Sequence, residues 1–264
     1  MRLPNAEKEA SRFLALDETG STNDVLVASA AEEPHFSVVV TGSQTAGRGR
    51  LGREWVAPNG SSLSISVLLR PALPSGMPLA LEHFGWLPLI AGVAMCRAIA
   101  PLVPGRVGLK WPNDVQIDGF KVSGLLAELV PTGDAVVMGS GVKLSLTRDE
   151  LPTATSTSLA LSGAVLTGDD LADAVLTTYL RELRSLCADF VRDGADVESS
   201  AILDRVTELC TTLGREVRVE LPGGSDLIGV ATGIDRHGRL VVRRASDGLV
   251  SAVAAGDVTH LRYE

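Results

Sequence analysis

The sequence predicts an α+β fold: a mixed, mostly antiparallel sheet with segregated helices, then a small all-β unit. Three observations carry this. Strand-like and helix-like runs do not alternate strictly, which argues against a doubly wound parallel sheet. Four strand-like runs follow one another between the two longest helical patterns. After Gly214 the texture changes to five short strands in about fifty residues, the mark of a small barrel. The expected division is 1–213 and 214–264.

In chain order, STNDVLVASAA (21–31) reads as a helix capped by Ser21 or Thr22, with Asp24 in its first turn. FSVVVTG (36–42) is β-branched and reads as a buried strand. APNGSS (57–62) is turn chemistry. SLSISVLLR (62–70) alternates serine with apolar residues, a strand with one buried face. A long apolar helix is expected at about 79–100. Glu82, His83, Pro88, Arg97 and Pro101 interrupt that region, so it reads as a core helix and not a membrane span.

Strands follow at 106–111 and 114–119, joined through Pro112–Asn113, and at 121–130 and 135–146, joined through Gly133–Asp134. Helices are expected at about 169–192, with Thr167 and Asp170 resembling a capping box, and at about 198–213. EVRVEL, DLIGVATGID, LVVRR, LVSAVA and VTHLR are the last strands, separated by PGG, RHG, SDG and AGD turns.

Of the 264 residues, 45% are hydrophobic and 21% charged, and mean hydropathy is +0.22, so the chain can bury a large core. Net charge is −8 and the pI near 5.1, the opposite of a protein that coats nucleic acid. Cys96, Cys187 and Cys210 are odd in number and form no CxxC pair. They read as buried thiols of a reducing, cytoplasmic compartment. The histidines (His35, His83, His237, His260) have no metal-ligand spacing, and MRLPNAEKEA has no apolar signal-peptide stretch.

Against this acidic background, TGSQTAGRGRLGREW (41–55) concentrates arginine and glycine. GRGRLG (47–52) formally matches G-x-G-x-x-G, the dinucleotide fingerprint, which needs a helix starting inside it and an acidic residue about 20 positions on. Pro58, Asn59 and Gly60 forbid the helix, and no Asp or Glu occurs between Glu54 and Glu82. No G-K-[ST] exists for a P-loop and no G-x-S-x-G for a nucleophile elbow. A solvated flexible loop and a nucleic-acid module remain as alternatives.

A second cluster, KWPNDVQIDGFKVSGLL (110–126), joins a Trp to two lysines, an Asn and an Asp. Together the clusters hold what adenylation requires. Arginines and a lysine let a carboxylate approach a phosphate. An aromatic lies against adenine, an Asp holds Mg²⁺ or the ribose-phosphate end, and glycines let backbone N–H groups close around an anion.

STN (21–23), SQTAGRGRLGREW (43–55), KWPND (110–114), DGFKVSGLLAE (118–128), GSGVKLSL (139–146) and the terminal GVATGIDRHGRLVVRR…GDVTHLR resemble, in this order, the biotin protein ligases. The resemblance spans nearly the whole chain. It implies a class II aminoacyl-tRNA synthetase-like catalytic domain followed by an SH3-like barrel. It also implies two-step chemistry: biotin and ATP give biotinoyl-5′-AMP, and a lysine of a carboxylase's biotin carboxyl carrier domain then takes the biotinoyl group.

By matching motif, Ser21, Thr22 and Gln44 are expected on the ureido ring, with Asn23 nearby. Gly47, Arg48 and Arg50 are expected over the carboxylate and phosphate, and Lys121 bridges the two. Trp55 stacks near adenine, Lys110, Asn113 and Asp114 face the nucleotide, and Asp114 takes Mg²⁺. Gly124 and Gly139 permit close approach. The lid is expected to be loose when unfilled. Lys143 stands where the family has Asn in G-x-G-[IVL]-N; it supplies a nucleotide phosphate contact or, the plainer reading, faces solvent. Twenty residues precede Ser21, so a ligase without a DNA-binding repressor domain is expected, off the membrane and a monomer or weak dimer. Lipoate–protein ligase, with shared fold and chemistry, is the alternative.

Overall fold

A computed structural model describes residues 1–221, 225–254 and 257–261, and among these are two sheets and four α-helices. The expected PGG turn at 222–224, Ala255–Gly256 of the AGD turn and Arg262 of the last expected strand lie outside the described residues.

A 3₁₀ turn (Ala6–Glu9) leads into β1 (Arg12–Leu16), α1 (Thr22–Ser29), β2 (Ser37–Thr41) and β3 (Ser62–Leu69). The helix expected over 79–100 is split into a 3₁₀ segment, Leu81–Trp86, and α2, Leu87–Ile99. Pro88 sits in the first turn of α2, where its missing N–H costs nothing. Then come β4 (Val107–Lys110), β5 (Asp114–Ile117), β6 (Phe120–Leu129) and β7 (Val136–Lys143).

Next is α3 (Gly168–Arg192), whose buried Leu171, Val175, Tyr179, Leu183, Leu186 and Phe190 keep helical spacing. Thr167 caps it by position but makes no side-chain cap bond, so the expected box with Asp170 does not form. A true box joins Thr147 to Glu150. α4 (Ile202–Leu209) starts later than expected, because the preceding residues are turned around Asp196, which accepts from Glu198 N–H and Ser199 Oγ.

The first sheet has the order β1-β2-β3-β7-β6-β5-β4; β1 and β2 are parallel and every other pair is antiparallel. One face buries the main core, where α2 lies between the sheet and helices α3 and α4. That accounts for α2 being apolar on nearly all sides. The other face is shared. Val39, Leu68 and Val137 pack under α1, and the same rows continue as Ser66, Ser64 and Ser62 on β3 and Gly139, Gly141 and Lys143 on β7. The serine alternation therefore has both faces of β3 buried, not one as expected.

The second sheet comprises β8 (Glu216–Glu220), β9 (Asp226–Ile234), β10 (Leu240–Arg244), β11 (Val250–Val253) and β12 (Asp257–His260), all antiparallel in the order β11-β10-β9-β8-β12. Two buried tryptophans fasten it to the first. Trp86 Nε1 donates to Arg236 O (2.8 Å) and Trp111 Nε1 to Gly238 O (3.0 Å).

At the N-terminal end, Asp173 of α3 is buried and accepts from Ala6 N–H (2.9 Å) and Asn5 Nδ2 (2.7 Å). Asp173→Ala orphans those donors and is expected to cost about 1–3 kcal/mol, read by urea unfolding. A change within error would show that water replaces the carboxylate there.

Candidate active site

The rows beside α1 form the floor of a cavity of about 390 Å³. Its register is Ser66–Gly139–Leu126, then Ser64–Gly141–Gly124, then Ser62–Lys143. Glycines at the centre leave room for flat groups. A Cβ at Gly139 would collide with Asn23, and one at Gly141 with the indole of Trp55.

One end is neutral and dense in hydrogen-bonding groups. Ser21, at the N-cap position of α1, puts Thr22 and Asn23 in the cavity wall. Gln44 Oε1 accepts from Thr22 N–H (2.9 Å) and lies 3.2 Å from Thr22 Oγ1. Ser66 Oγ sits 2.8 Å from Thr22 Oγ1 and 2.6 Å from Asn23 Oδ1, while Asn23 Nδ2 donates to Glu128. The network fixes the amide orientations, and the Glu128 carboxylate at its edge is paired with Arg48.

The other end is cationic. Arg50, Arg53, Lys110, Lys121 and Lys143 line it against Glu54 and Asp114, while Arg48 is paired with Asp24 and Glu128 beside the hydroxyl–amide end. In a chain of net charge −8 that excess is local, and it favours anions. Lys121 Nζ lies 2.6 Å from Asp114 Oδ1. Among the described residues no cluster of three metal-ligating side chains exists, so Asp114 suits a cation that arrives on phosphate oxygens better than a resident metal.

The glycine–arginine loop crosses the mouth in a defined shape. Trp55 N–H bonds Gly47 O (2.9 Å) and Gly49 N–H bonds Arg53 O (2.6 Å) around the 3₁₀ turn Arg50–Gly52. Arg50 Nη1 donates to Asn113 Oδ1 (3.1 Å), and Asn113 Nδ2 donates to Leu125 O (2.7 Å). Arg48 grips Asp24 (Nη1–Oδ2 2.7 Å) and reaches Glu128 (3.1 Å). The hydrogen bond to Asp24 raises the guanidinium pKa, and in turn holds the Asp24 carboxyl below its usual range.

Of the residues expected at the site, Ser21, Thr22, Asn23, Gln44, Arg48, Arg50, Trp55, Lys110, Asn113, Asp114, Lys121, Gly124, Gly139 and Lys143 line this one cavity. Gly47 stands behind the wall, where a Cβ would collide with Gln44 and the Trp55 carbonyl. Lys143 corrects the plainer expectation. It is 3% exposed and its Nζ lies 4.4 Å from the Trp55 ring centroid. Burial first, then the charge of Lys121, pulls its pKa down to about 8.

Sequence reasoning missed Glu128, which contacts Asn23 and Arg48, and the cavity-lining Ser64, Gly141, Thr153, Thr155 and Ser156, with Val258 and Thr259 from β12. A signal existed for Gly141 and Lys143, since residues 139, 141 and 143 of a strand must share a face. None existed for Thr153–Ser156 or β12, which reach the cavity only through tertiary folding.

Residues 16–145 match the Biotin/lipoate A/B protein ligase family, and residues 212–261 the Biotin protein ligase C terminal domain. The chain is 38% identical to a Biotin--[acetyl-CoA-carboxylase] ligase of Mycobacterium tuberculosis, over 93% of this chain and 87% of that protein. It is 30% identical to one of Paracoccus denitrificans, over 86% and 92%. The fold superposes with TM-score 0.72 at 26% identity on the biotin protein ligase from Aquifex aeolicus solved with biotin and ATP, over 96% of this chain and all of that one. With both of its sheets matched and a neutral pocket end joined to a cationic one, this chain belongs to the biotin protein ligases.

Proposed function

We propose that the chain activates biotin with MgATP and transfers it to a lysine of a biotin carboxyl carrier domain of an acyl-CoA carboxylase. The observation that carries this is the two-ended cavity. The neutral network of Ser21, Thr22, Asn23 and Gln44 suits a polar, uncharged ring such as the ureido group. The lysine–arginine end suits a carboxylate beside a polyphosphate.

In the first step a biotin carboxylate oxygen attacks the α-phosphorus of MgATP and pyrophosphate leaves. Lys121 offsets the charge of both anions, and Arg48 and Arg50 close over them. Trp55 covers the base, Lys110, Asn113 and Lys143 take the rest of the nucleotide, and Asp114 meets the Mg²⁺ brought in by ATP. Glycines 47, 124 and 139 keep the walls close. In the second step the acceptor amine attacks the acyl carbon, the bond from that carbon to the bridging oxygen breaks, and AMP leaves. A lid that excludes water protects the anhydride between steps.

Residues 214–264 are proposed as a separate module that contributes β12 to the cavity wall. Three buried free thiols support a cytoplasmic setting, and the acidic balance supports a monomer or weak dimer that does not bind DNA.

The test is to incubate the chain with biotin, MgATP and a biotin carrier domain and weigh the carrier. A gain of one biotinoyl group is expected. Pyrophosphate exchange that depends on lipoate and ignores biotin would overturn the reading.

A further inference from the structure

Both terminal nitrogens of Arg48 rest on carboxylates. Nη1 donates to Asp24 Oδ2 (2.7 Å) and Nη2 to Asp24 Oδ1 (2.5 Å), a fork on one carboxylate, and Nη2 also reaches the Glu128 oxygens at 3.1 and 3.3 Å. A planar guanidinium held in this way is fixed in direction as well as in distance. Arg48 belongs to the glycine–arginine loop, Asp24 to the first turn of α1 and Glu128 to β6. Three stretches far apart in sequence meet at one side chain.

The loop is thus held at two points. Arg50 ties it to Asn113 at the β4–β5 turn, and Arg48 ties it to α1 and β6. Between these points the backbone closes on itself, through Gly49 N–H to Arg53 O and Trp55 N–H to Gly47 O, so the segment moves as one piece. Glu128 has a second contact. Its carboxylate also accepts from Asn23 Nδ2, while Asn23 Oδ1 lies 2.6 Å from Ser66 Oγ. The same carboxylate therefore sets the amide in the wall of the neutral end and holds the arginine of the loop. Neither Asp24 nor Glu128 is itself part of the cavity wall.

Building on the ligase reading, we propose that Asp24 and Glu128 are positioning residues of the reaction: through Arg48 they keep the loop shut over biotinoyl-5′-AMP until the acceptor lysine arrives. Glu128, acting also through Asn23, ties that closure to the seat of the ring. The Arg48 and Asp24 side chains are 42% and 57% exposed, so water and salt screen the pair, and its effect on the lifetime of the adenylate is a few-fold and not a thousandfold. That exposure suits the role, because a latch of this kind has to open once in each turnover.

The experiment separates making the adenylate from keeping it. The full chain is given radiolabelled biotin and MgATP in a single turnover; formation of the adenylate is timed, and its escape after a chase with unlabelled biotin is followed by filter binding. Asp24→Asn keeps the side-chain shape and is expected to speed escape about three- to fivefold while formation stays close to native. Glu128→Gln keeps an acceptor for Asn23 but not the charge, and should speed escape by a similar factor. Glu128→Ala also strips Asn23 of its acceptor and should in addition raise the biotin KM above that of Glu128→Gln. Asp24→Asn and Glu128→Gln together should speed escape about tenfold and flatten its rise with salt between about 0.05 and about 0.5 M. Escape from the double variant at the native rate overturns the proposal, as does slowed formation with escape unchanged. The same biotin KM in Glu128→Gln and Glu128→Ala overturns the link to the ring. A native chain that forms no adenylate from biotin and MgATP would instead sink the ligase reading.

Discussion

Replacing Lys121 with alanine is expected to lower biotin-dependent ATP–pyrophosphate exchange by about 10³-fold while leaving the melting temperature close to native. The effect is large for two reasons. In the proposed reaction Lys121 acts on both reacting anions, the carboxylate and the α-phosphate. Its removal also strips Asp114 of its 2.6 Å partner and leaves a bare carboxylate facing an incoming polyphosphate. The fold should survive, because the Lys121 backbone is independently fixed: its N–H bonds Thr155 O (2.8 Å) and its carbonyl accepts from Thr157 N–H (2.9 Å). The same geometry predicts non-additivity. Because Lys121 and Asp114 are in contact, the double variant should lose less than the sum of the two single losses. Exchange within tenfold of native in Lys121→Ala would remove the residue from the proposed role.

The second large effect is on retention rather than synthesis. Arg50 ties the glycine loop to the β4–β5 turn through its 3.1 Å bond to Asn113, which is itself anchored to Leu125 O. Arg50→Gly cuts that tether and adds backbone freedom at the mouth. A charge-assisted hydrogen bond is worth about 1.5–3 kcal/mol, so escape of biotinoyl-5′-AMP should accelerate by roughly 10- to 100-fold. The measurable result is biotin on lysines of a bystander protein unrelated to carrier domains. If bystander labelling is no faster than with the native chain, the tether does not govern retention.

The sequence carried the fold wherever local chemistry is decisive. The β-branched run of β2, the serine alternation of β3 and the change of texture after Gly214 each specify their element without help from elsewhere. β1 was invisible. Arg12–Leu16 is largely exposed, shows no clean alternation, and is a strand because β2 lies beside it in parallel register. The capping pattern at Thr167 was legible but misleading: a hydroxyl three residues before an acid permits a box without forcing one, and here the box forms at Thr147.

The site divides in the same way. Motif residues were brought together because glycines and charges in a loop have few other uses. Arg48 shows what is lost in one dimension. Its partners Asp24 and Glu128 come from α1 and β6, and only the closed fold shows that its guanidinium is already engaged.

The distribution of lysine has a practical outcome for a protein of this chemistry. A mixed anhydride reacts with amines, and a catalyst that releases one is ordinarily among the first things it marks. Here three of the four side-chain amines are walled into the cavity, and Lys8 stands out on the surface. Guanidinium groups, which make up the rest of the basic surface, stay protonated and do not compete. Escaped anhydride would therefore meet few side-chain amines on the outer surface of a leaky variant, Lys8 at the N-terminal turn being the exposed lysine.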